Sequence, residues 1–472
     1  MTRLLLLASA IMIMTFSNCQ DAPAPASQTP PAVEKPALPP HLVFPEWAKN
    51  AVLYELNTRQ FSPDGNFAGV TAQLPRLKEL GVDIIWLMPI HPVGKERRKG
   101  SLGSPYSVQD YYAVNPDLGT LDDLKSLINA AHQSGMKVIL DWVPNHTSWD
   151  AVWKQQHPEY YSRYKGDFTV PFNEHGEPIA DWQDVCDLDY NQPEMRKAMV
   201  NAMQYWVKTT DIDGFRCDMA GLVPNDFWTE LRPALDTIKP MFMLAEWQDE
   251  KAHFNSCFHV NYGWKWKDIT KDIWAGKQNA QSLDTLKNFL DQFYPAPYCQ
   301  LYFTQNHDEN SWSGAETELY GASAEVMNVL AWTWGGIPMI YSGQEAGNER
   351  RLRFFDRDPI RWKKHSRNLF FQRLNDLRHQ NQALWSGDFG GEMVKFNSSD
   401  EQRIYAFGRE KNGDKVVIIT NLSKQIRTAS VTIPADFSGG YANVFANNTM
   451  QLTAGELRFT LKPWEYIVLT NK

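Results

Sequence analysis

The chain has 472 residues, of which 43% are hydrophobic, so it is long enough for several domains and can bury a large core. Its 47 lysines and arginines against 55 aspartates and glutamates leave a formal net charge of −8, which makes a nucleic-acid backbone a poor partner. No apolar run beyond the one at the N-terminus approaches the roughly 20 residues of a membrane-spanning helix, so the sequence excludes a polytopic membrane protein.

The N-terminus has the pattern of an export signal. Arg3 precedes the apolar stretch Leu4–Met14, which is too short to remain as a transmembrane helix. The segment Phe16-Ser17-Asn18-Cys19 resembles a bacterial lipoprotein processing box, in which Cys19 becomes the lipidated first residue. An ordinary cleaved signal peptide with an incidental cysteine is the alternative. We predict a signal peptide over residues 1–18 and an exported envelope lipoprotein, periplasmic or on the outer surface.

A spacer and then a cysteine-poor body follow the signal. Residues 19–40, which begin with the lipid-anchor cysteine, are rich in Pro and Ala and lack apolar periodicity, as expected for a semi-rigid linker. The remaining cysteines have no CxxC or metal-ligand spacing, and we expect no disulfide framework among Cys186, Cys217, Cys257 and Cys299.

Between residues 41 and 383, short apolar runs alternate with helical patterns. Most runs are apolar on both faces, which is typical of parallel strands covered by helices. Eight such units predict an α/β fold, a (β/α)8 TIM barrel; a doubly wound sheet would bring a Gly-rich phosphate loop, and none follows any strand. The predicted strands are Val52–Leu56, Val82–Met88, Lys137–Val143, Gly214–Asp218, Met241–Ala245, Cys257–Val260, Gln300–Thr304 and Pro338–Ser342, and the helical patterns include Leu121–Ser134, Pro193–Thr210, Leu283–Phe293 and Ala322–Trp334.

Two further units are predicted from changes in this pattern. The third and fourth strands are separated by more residues than a βα unit needs, and residues 145–187 between them are polar and Tyr-rich, which indicates a small inserted subdomain. After residue 384, short alternating strands predict a C-terminal antiparallel β-sandwich over 384–472. Its predicted strands are Arg403–Arg409, Lys415–Asn421, Thr428–Ile433 and Tyr466–Thr470.

Carboxylates stand at the ends of four predicted barrel strands: Asp141, Asp218, Glu246 and Asp308. The active sites of such barrels lie at the C-terminal ends of the strands. Carboxylates crowded there repel one another, so a cluster is tolerated where chemistry, a cation or an arginine needs it. Arg216 lies two residues before Asp218, so the strand period directs both side chains into the barrel, where the arginine could hold the aspartate ionised.

The segments around these residues resemble the α-amylase family, glycoside hydrolase family 13, over about residues 45–380. Four of them match its ordered conserved segments, one its stacking-tyrosine segment and one the motif that closes its inserted subdomain. Given in the same order, the six matching segments are Asp141–His146, Gly214–Asp218, Ala245–Trp247, Phe303–Asp308, Ser104–Tyr106 and Asp187–Asp189.

The resemblance implies a retaining mechanism with two carboxyl groups. Asp218 would be the nucleophile, Glu246 the acid/base, and Asp308 the residue that stabilises the oxocarbenium-like state. Glu246 would need a higher pKa than Asp218, and nearby anions would raise it. The residues implied to contact substrate are Tyr106, His146, Arg216 and His307.

The resemblance also implies a structural Ca2+ that joins the loop after the third strand to the inserted subdomain. The matching oxygen donors are Asn145 and Asp187. The sequence departs from the family where Gly221 and Leu222 replace a Lys-His pair, which removes a common sugar contact on the acceptor side. No organic cofactor is expected.

The expected activity is hydrolysis of α-1,4-glucosidic bonds in starch-like α-glucans or maltooligosaccharides. The alternatives are a glucan transglycosylase, or a cyclodextrin or pullulan hydrolase, with the same site, and a non-catalytic glucan-binding protein. A metal-dependent barrel hydrolase is excluded because no His-x-His follows the first strand. The expected partners are α-glucans and a membrane through the lipid anchor only, with no nucleic acid. The basic run Lys95–Lys99 is predicted to be a solvated loop.

Overall fold

Eight short strands close into a parallel barrel in the structure, a computed structural model that describes residues 42–472. Around the barrel the order is β1-β8-β7-β6-β5-β4-β3-β2. The strands are β1 (Leu53–Leu56), β2 (Ile84–Leu87), β3 (Lys137–Trp142), β4 (Gly214–Cys217), β5 (Phe242–Ala245), β6 (Val260–Tyr262), β7 (Gln300–Tyr302) and β8 (Ile337–Tyr341). This arrangement confirms the predicted fold class.

The barrel strands are short and almost wholly buried because helices cover them outside and side chains fill them inside. The interior is packed with apolar residues such as Leu53, Trp86 and Leu244. Asp141 of β3 and Arg216 of β4 are partners in register, and the ion pair between them places both side chains on the inner face. The strand alternation that fills the core therefore also delivers charged groups to one end of it.

Helices cover the barrel, and local signals set their ends. Thr120 and Asp123 form a reciprocal capping box at the start of Leu121–Gln133, and Pro193 occupies the first turn of the longest helix. The α-helices of residues 42–472 are Thr58–Phe61, Phe67–Thr71, Leu74–Leu80, Leu121–Gln133, Val152–Gln156, Pro193–Thr210, Asn225–Asp236, His253–Ser256, Trp264–Ala275, Gln281–Phe293, Glu316–Tyr320, Ala324–Thr333 and Ser366–Gln380.

The predicted position of the sixth strand is wrong. The sequence indicates Cys257–Val260, but Cys257 ends the short helix His253–Ser256 and β6 begins only at Val260. The polar Asn261 in the middle of β6 conceals the strand from a hydrophobicity pattern. Asn261 is nevertheless fully buried, because its side chain bonds to Tyr294 and Gln300.

The segment between β3 and the helix Pro193–Thr210 forms two small antiparallel sheets. In one, His146–Ser148 pairs with Val185–Asp187; in the other, Arg163–Tyr164 pairs with Asp167–Phe168. The first of these sheets begins directly after β3, so the inserted segment stands beside the C-terminal end of the barrel.

The C-terminal part forms an antiparallel sheet of six strands and a second sheet of two, which enclose an apolar core. Arg409 connects this part to the barrel: its buried guanidinium donates to the carbonyl oxygens of Thr333, Trp385 and Gly391. The strands are β9 (Met393–Phe396), β10 (Ile404–Lys411), β11 (Asp414–Asn421), β12 (Arg427–Ile433), β13 (Gly439–Asn443), β14 (Thr449–Leu452), β15 (Gly455–Leu461) and β16 (Tyr466–Thr470). The larger sheet has the order β9-β10-β11-β16-β13-β14, and β12 pairs with β15.

Three sequence-based predictions fall outside this description. The signal peptide, the lipidation residue Cys19 and the linker over residues 19–40 lie outside residues 42–472. Within those residues, no helix combines the length and apolarity needed to cross a bilayer.

Candidate active site

The fully buried guanidinium of Arg216 organises the carboxylates at the C-terminal end of the barrel. Its Nη1 lies 2.9 Å from Oδ1 of Asp141 and 3.1 Å from Oδ1 of Asp218, and its Nη2 lies 2.6 Å from Oε1 of Glu246. Its Nε donates to the hydroxyl of Tyr262. One cation therefore faces three carboxyl groups, so this end of the barrel cannot hold all three ionised at low cost.

Burial and crowding raise the pKa of each carboxyl group in this cluster. Desolvation raises the pKa of Asp141 and of Asp218 to about 6, with Arg216 opposing the shift. The pKa of Glu246 is raised further, to about 8, by desolvation and by the negative charges of Asp218 and Asp308. The pair thus offers an ionised aspartate beside a protonated glutamic acid near neutral pH, which is the pattern of a nucleophile and a general acid.

Glu246 is held by backbone as well as by Arg216. The N–H of Met219 donates to Oε2 of Glu246 over 3.0 Å. Met219 adopts a left-handed conformation with φ 45°, which is costly for a residue with a side chain. This strained turn directly after Asp218 aims a backbone donor at the neighbouring carboxyl group. Asp218 and Glu246 both contact the guanidinium of Arg216, which holds the two carboxyl groups near each other.

Asp141 anchors the inner edge of the site. Its Oδ2 accepts hydrogen bonds from Nε1 of Trp86 at 3.1 Å and from the hydroxyl of Tyr106 at 2.9 Å. Tyr106 is thereby fixed with its ring stacked on His307, the centroids 5.2 Å apart and the planes 19° apart. The predicted stacking tyrosine therefore lies beside the carboxylate cluster, as a flat floor on which a sugar ring can rest.

His307 is held between carboxylates, one of which the sequence reasoning missed. Its Nδ1 pairs with Oε1 of Glu55 on β1, and its Nε2 lies 2.9 Å from the Tyr106 hydroxyl and 3.3 Å from Oδ2 of Asp308. Asp308 and Glu55 raise the His307 pKa to about 9 against the effect of burial, so the ring is an imidazolium that donates from both nitrogens. The available signal was a glutamate in the apolar strand predicted over Val52–Leu56.

We expect Glu55→Gln to steepen the alkaline limb of the pH profile of kcat/KM, because the pKa of His307, about 9, falls toward the Glu246 pKa of about 8. The amide removes one of the two carboxylates that raise the His307 pKa, so the imidazolium loses its proton, and its Nε2 donor toward Tyr106, at lower pH. The matched control is Glu345→Gln, which changes a buried carboxylate that accepts hydrogen bonds from Tyr54 and Arg76 and not from His307. An unchanged profile in Glu55→Gln would contradict a positioning role for this residue.

The remaining predicted contacts line the same cavity. A cavity of about 590 Å³ is lined by the predicted catalytic residues and by Tyr106, His146 and His307. His146 is buried with its pKa lowered to about 3 by desolvation, so it is a neutral ring that lies edge-on to Trp182. Asp308 is more than one third exposed, so it faces the cavity rather than the core.

The acceptor side differs from the family pattern in a way the structure explains. Gly221 packs against the indole of Trp247, where a Cβ would lie 2.1 Å from a ring atom. A side chain such as lysine cannot occupy this position unless Trp247 moves. Trp247, the aromatic residue after Glu246, therefore occupies the space beside Gly221.

Asn145 and Asp187, the predicted calcium donors, do not line this cavity but lie together where the inserted sheet begins. The N–H of Leu188 donates to the Asn145 carbonyl, and Asp187 pairs in register with His146. Burial raises the Asp187 pKa to about 7, and no cationic side chain among residues 42–472 forms an ion pair with it. A buried oxygen donor without a counter-charge fits a hard cation.

Most of the coordination of such a cation would come from other groups. Within the described part of the chain, no group of three or more His, Cys, Asp or Glu side chains is arranged to hold a metal. Ca2+ takes six to eight oxygen ligands, so backbone carbonyls and water would complete the shell.

A parallel barrel that carries a buried aspartate, a protonated glutamic acid and a third carboxylate around one cavity defines a glycoside hydrolase of the carboxylate type. Comparison with known families agrees with this class. The family described as alpha amylase, catalytic domain, matches residues 48–403, and the maltogenic amylase C-terminal domain matches residues 394–468. The chain belongs to the α-amylase family.

Solved structures and a characterised relative support this assignment. The noncanonic maltogenic α-amylase AmyB from Thermotoga neapolitana has a TM-score of 0.80 and 28% identity, covering 90% of this chain and 99% of its own. An α-amylase from Lactobacillus plantarum has a TM-score of 0.78 and 31% identity, covering 90% of this chain and 100% of its own. The α-amylase MalA from Haloarcula japonica is 27% identical over a region that covers 84% of this chain. The same region covers only 58% of MalA.

Proposed function

We propose that the chain is a retaining glycoside hydrolase that cleaves α-1,4-glucosidic bonds in starch-like α-glucans or maltooligosaccharides. The observation that carries the proposal is that two carboxyl groups, Asp218 and Glu246, contact the same guanidinium of Arg216 and have different pKa values. Inverting enzymes hold their carboxyl groups about 6.5–9.5 Å apart to leave room for a water molecule. Because both groups are held by nitrogens of one guanidinium, they lie close together, which supports the shorter retaining spacing.

In the first step, Asp218 attacks the anomeric carbon while Glu246 gives its proton to the leaving glycosidic oxygen. The C–O bond to the leaving sugar breaks, and a glycosyl ester to Asp218 forms. Arg216 keeps Asp218 ionised for this attack, because its charge opposes the effect of burial on the Asp218 pKa. The N–H of Met219 keeps the Glu246 carboxyl group oriented.

In the second step, Glu246, now ionised, takes a proton from water, and the hydroxide oxygen replaces Asp218 at the anomeric carbon. Both steps pass through an oxocarbenium-like state. Asp308 and the protonated His307 border the same cavity and can bond the sugar hydroxyl groups beside the reacting carbon. Tyr106 supports the sugar ring from below.

Proton NMR of maltoheptaose during digestion by residues 41–472 tests this function. New α-anomers that appear before mutarotation are the expected result, because two displacements at the anomeric carbon restore its configuration. New β-anomers would overturn the double displacement. No reaction on linear or branched glucans would favour a non-catalytic glucan-binding protein or another glycosidic substrate.

Transfer to a sugar acceptor, or cleavage of cyclodextrins or pullulan, by the same site is the second candidate. Trp247 supports it, because this indole packs against Gly221 on the acceptor side and an aromatic ring there can hold a sugar in place of water. In the same NMR experiment, products longer than seven sugars would identify transfer. Digestion of cyclodextrin or pullulan faster than of maltoheptaose would identify the other activities.

We propose that Ca2+ binds between Asn145 and Asp187 and stabilises the junction of the inserted segment with the barrel. EDTA is expected to lower Tm by about 2 °C or more, because a ligand that binds only the folded chain stabilises it. The effect should weaken below about pH 7, where a buried Asp187 without metal becomes protonated. Asp187→Asn should abolish the EDTA effect, whereas the exposed Asp167→Asn should keep it. A wild-type Tm that EDTA leaves unchanged would contradict calcium binding.

We propose that the protein is exported and anchored to the cell envelope through lipid on Cys19, facing the periplasm or the outside. The support is the sequence pattern of the first nineteen residues alone. Cys19→Ser is expected to move the protein from the membrane fraction to the soluble fraction, because Cys19 is the proposed site of lipid attachment. Ser27→Ala, in the same linker, is the control. Wild-type protein in the soluble fraction would contradict the anchor.

A further inference from the structure

The loop after β2 is locked onto the loop after β8 at one side of the cavity. The N–H of Leu102 donates to the carbonyl of Phe355 over 2.9 Å. The N–H and hydroxyl of Ser101 both donate to Oδ1 of Asp356, at 2.9 and 2.6 Å. Gly100 lies so close that a Cβ there would be 2.4 Å from the Cβ of Phe355. These two loops therefore form one continuous piece of surface.

Lys99 extends this surface to the inserted segment. Its Nζ lies 2.8 Å from Oδ1 of the buried Asp184 and donates to the carbonyl oxygen of Asp181 over 2.6 Å. The same ammonium lies 5.8 Å from the ring centroid of Phe355. The start of the basic run is exposed, as predicted for a solvated loop, whereas Lys99 is only partly exposed and connects three loops across the rim of the cavity.

Aromatic rings join this surface to the floor of the site. Phe354 stacks on Tyr106 with a centroid separation of 6.2 Å and an interplanar angle of 6°. Trp312 lies in the segment after β7 and is 54% exposed. Its ring centroid is 5.2 Å from that of Phe354 and 5.6 Å from that of Phe355. We call the group formed by these contacts the wall; its members are Lys99, Asp184, Trp312, Phe354 and Phe355.

The order of the strands places the wall on one particular side of the reacting bond. Three of its loops follow β2, β7 and β8, which include both neighbours of β1, whereas β5 lies diametrically across the barrel from β1. Glu246 follows β5 and, in the proposed function, protonates the leaving group. In the proposed function the leaving part of the chain lies toward Glu246 and β5. The wall adjoins Tyr106 through Phe354, on the side of the sugar that becomes bonded to Asp218.

We infer that the wall closes the non-reducing side of the substrate cavity, so that the enzyme removes short products from the non-reducing ends of α-glucans. This inference rests on the proposed function. The wall residues and both carboxyl groups of the proposed mechanism line the same cavity of about 590 Å³, a volume within the usual range of a small-molecule site. Lys99 and Phe355 stand at this edge of the cavity, where they would obstruct a glucan that extended beyond its terminal glucose.

The test compares two reducing-end-labelled maltoheptaoses, one with a free non-reducing end and one whose terminal glucose carries a 4,6-ethylidene block. If the cavity is closed on this side, the terminal glucose must fit inside it, and the ethylidene group would not fit. The substrate with the free end should therefore be cleaved at least about tenfold faster than the blocked one. Early chromatograms should contain one short unlabelled product length. Equal rates on both substrates would overturn the closure, and cleavage of neither would instead remove the proposed function.

Variants test whether Lys99 holds the wall. Lys99→Ala and Asp184→Asn each break the same ion pair from opposite sides, and both should lower the free-to-blocked rate ratio and spread the product lengths. Lys95→Ala, in the same basic run, is the matched control and should keep the wild-type ratio. Thermal melting shows whether each variant folds. The free-to-blocked rate ratio of the wild-type enzyme tests whether the cavity is closed, whatever the variants do. A high ratio retained in both folded variants would overturn the role of Lys99.

Discussion

Asp218→Asn is expected to abolish turnover while the chain remains folded. The amide preserves the shape of the side chain but cannot form the glycosyl ester, so kcat/KM on maltoheptaose should fall at least about a thousandfold. The fold should survive because Arg216 keeps its ion pair with Asp141 and its contact with Glu246. Removing one of three carboxylates also relieves their mutual repulsion.

The control for this variant is Asp226→Asn, which removes an exposed carboxylate that pairs with Arg196 on the surface. Its activity should equal that of the wild type, because a surface ion pair contributes little and lies outside the cavity. Activity of Asp218→Asn above about a thousandth of the wild type, in a preparation free of wild-type enzyme, would contradict its assignment as nucleophile.

Glu246→Gln is expected to separate two classes of substrate. Without its acid, hydrolysis of maltoheptaose should fall by about a hundredfold or more. Formation of the glycosyl-enzyme from maltosyl fluoride should fall much less, because fluoride leaves without a proton. The missing base should then slow the second step, so mass spectrometry should detect a maltosyl adduct on the chain.

The pH profile gives a second readout of Glu246. The acid works only when protonated, so wild-type activity should decline as the pH rises through its pKa of about 8, and it should also decline as the pH falls through the Asp218 pKa of about 6. In Glu246→Gln the alkaline limb due to this group should disappear. The exposed Glu79→Gln is the control, and an equal loss of rate on maltoheptaose and maltosyl fluoride would argue against the acid role.

The carboxylate cluster was accessible to sequence reasoning because barrel geometry is regular. Asp141, Asp218 and Glu246 each stand at the end of an apolar run, and closure of the barrel brings strand ends to one rim whatever the intervening loops do. The two-residue period likewise predicts that Arg216 and Asp218 share a face. Such predictions need only local periodicity and the topology of the fold.

Other elements of the site depend on partners far away in the chain. Glu55 and His307 are 252 positions apart, and neither residue type identifies the other until β1 and the end of β7 meet through the closed barrel. Lys99 looks like part of a solvated basic run until the inserted segment brings Asp184 within reach. The β6 strand was misplaced for a similar reason, since Asn261 is buried only because distant groups satisfy it.

By itself, the sequence predicted the fold class and the positions of the carboxylates from short-range patterns, and it indicated their chemistry through its resemblance to the α-amylase family. The tertiary structure decided the protonation order of Asp218 and Glu246, the charge on His307 and the wall at one side of the cavity. Burial and the fields of neighbouring charges depend on which groups lie within a few ångströms in space. That information exists only once the chain has folded.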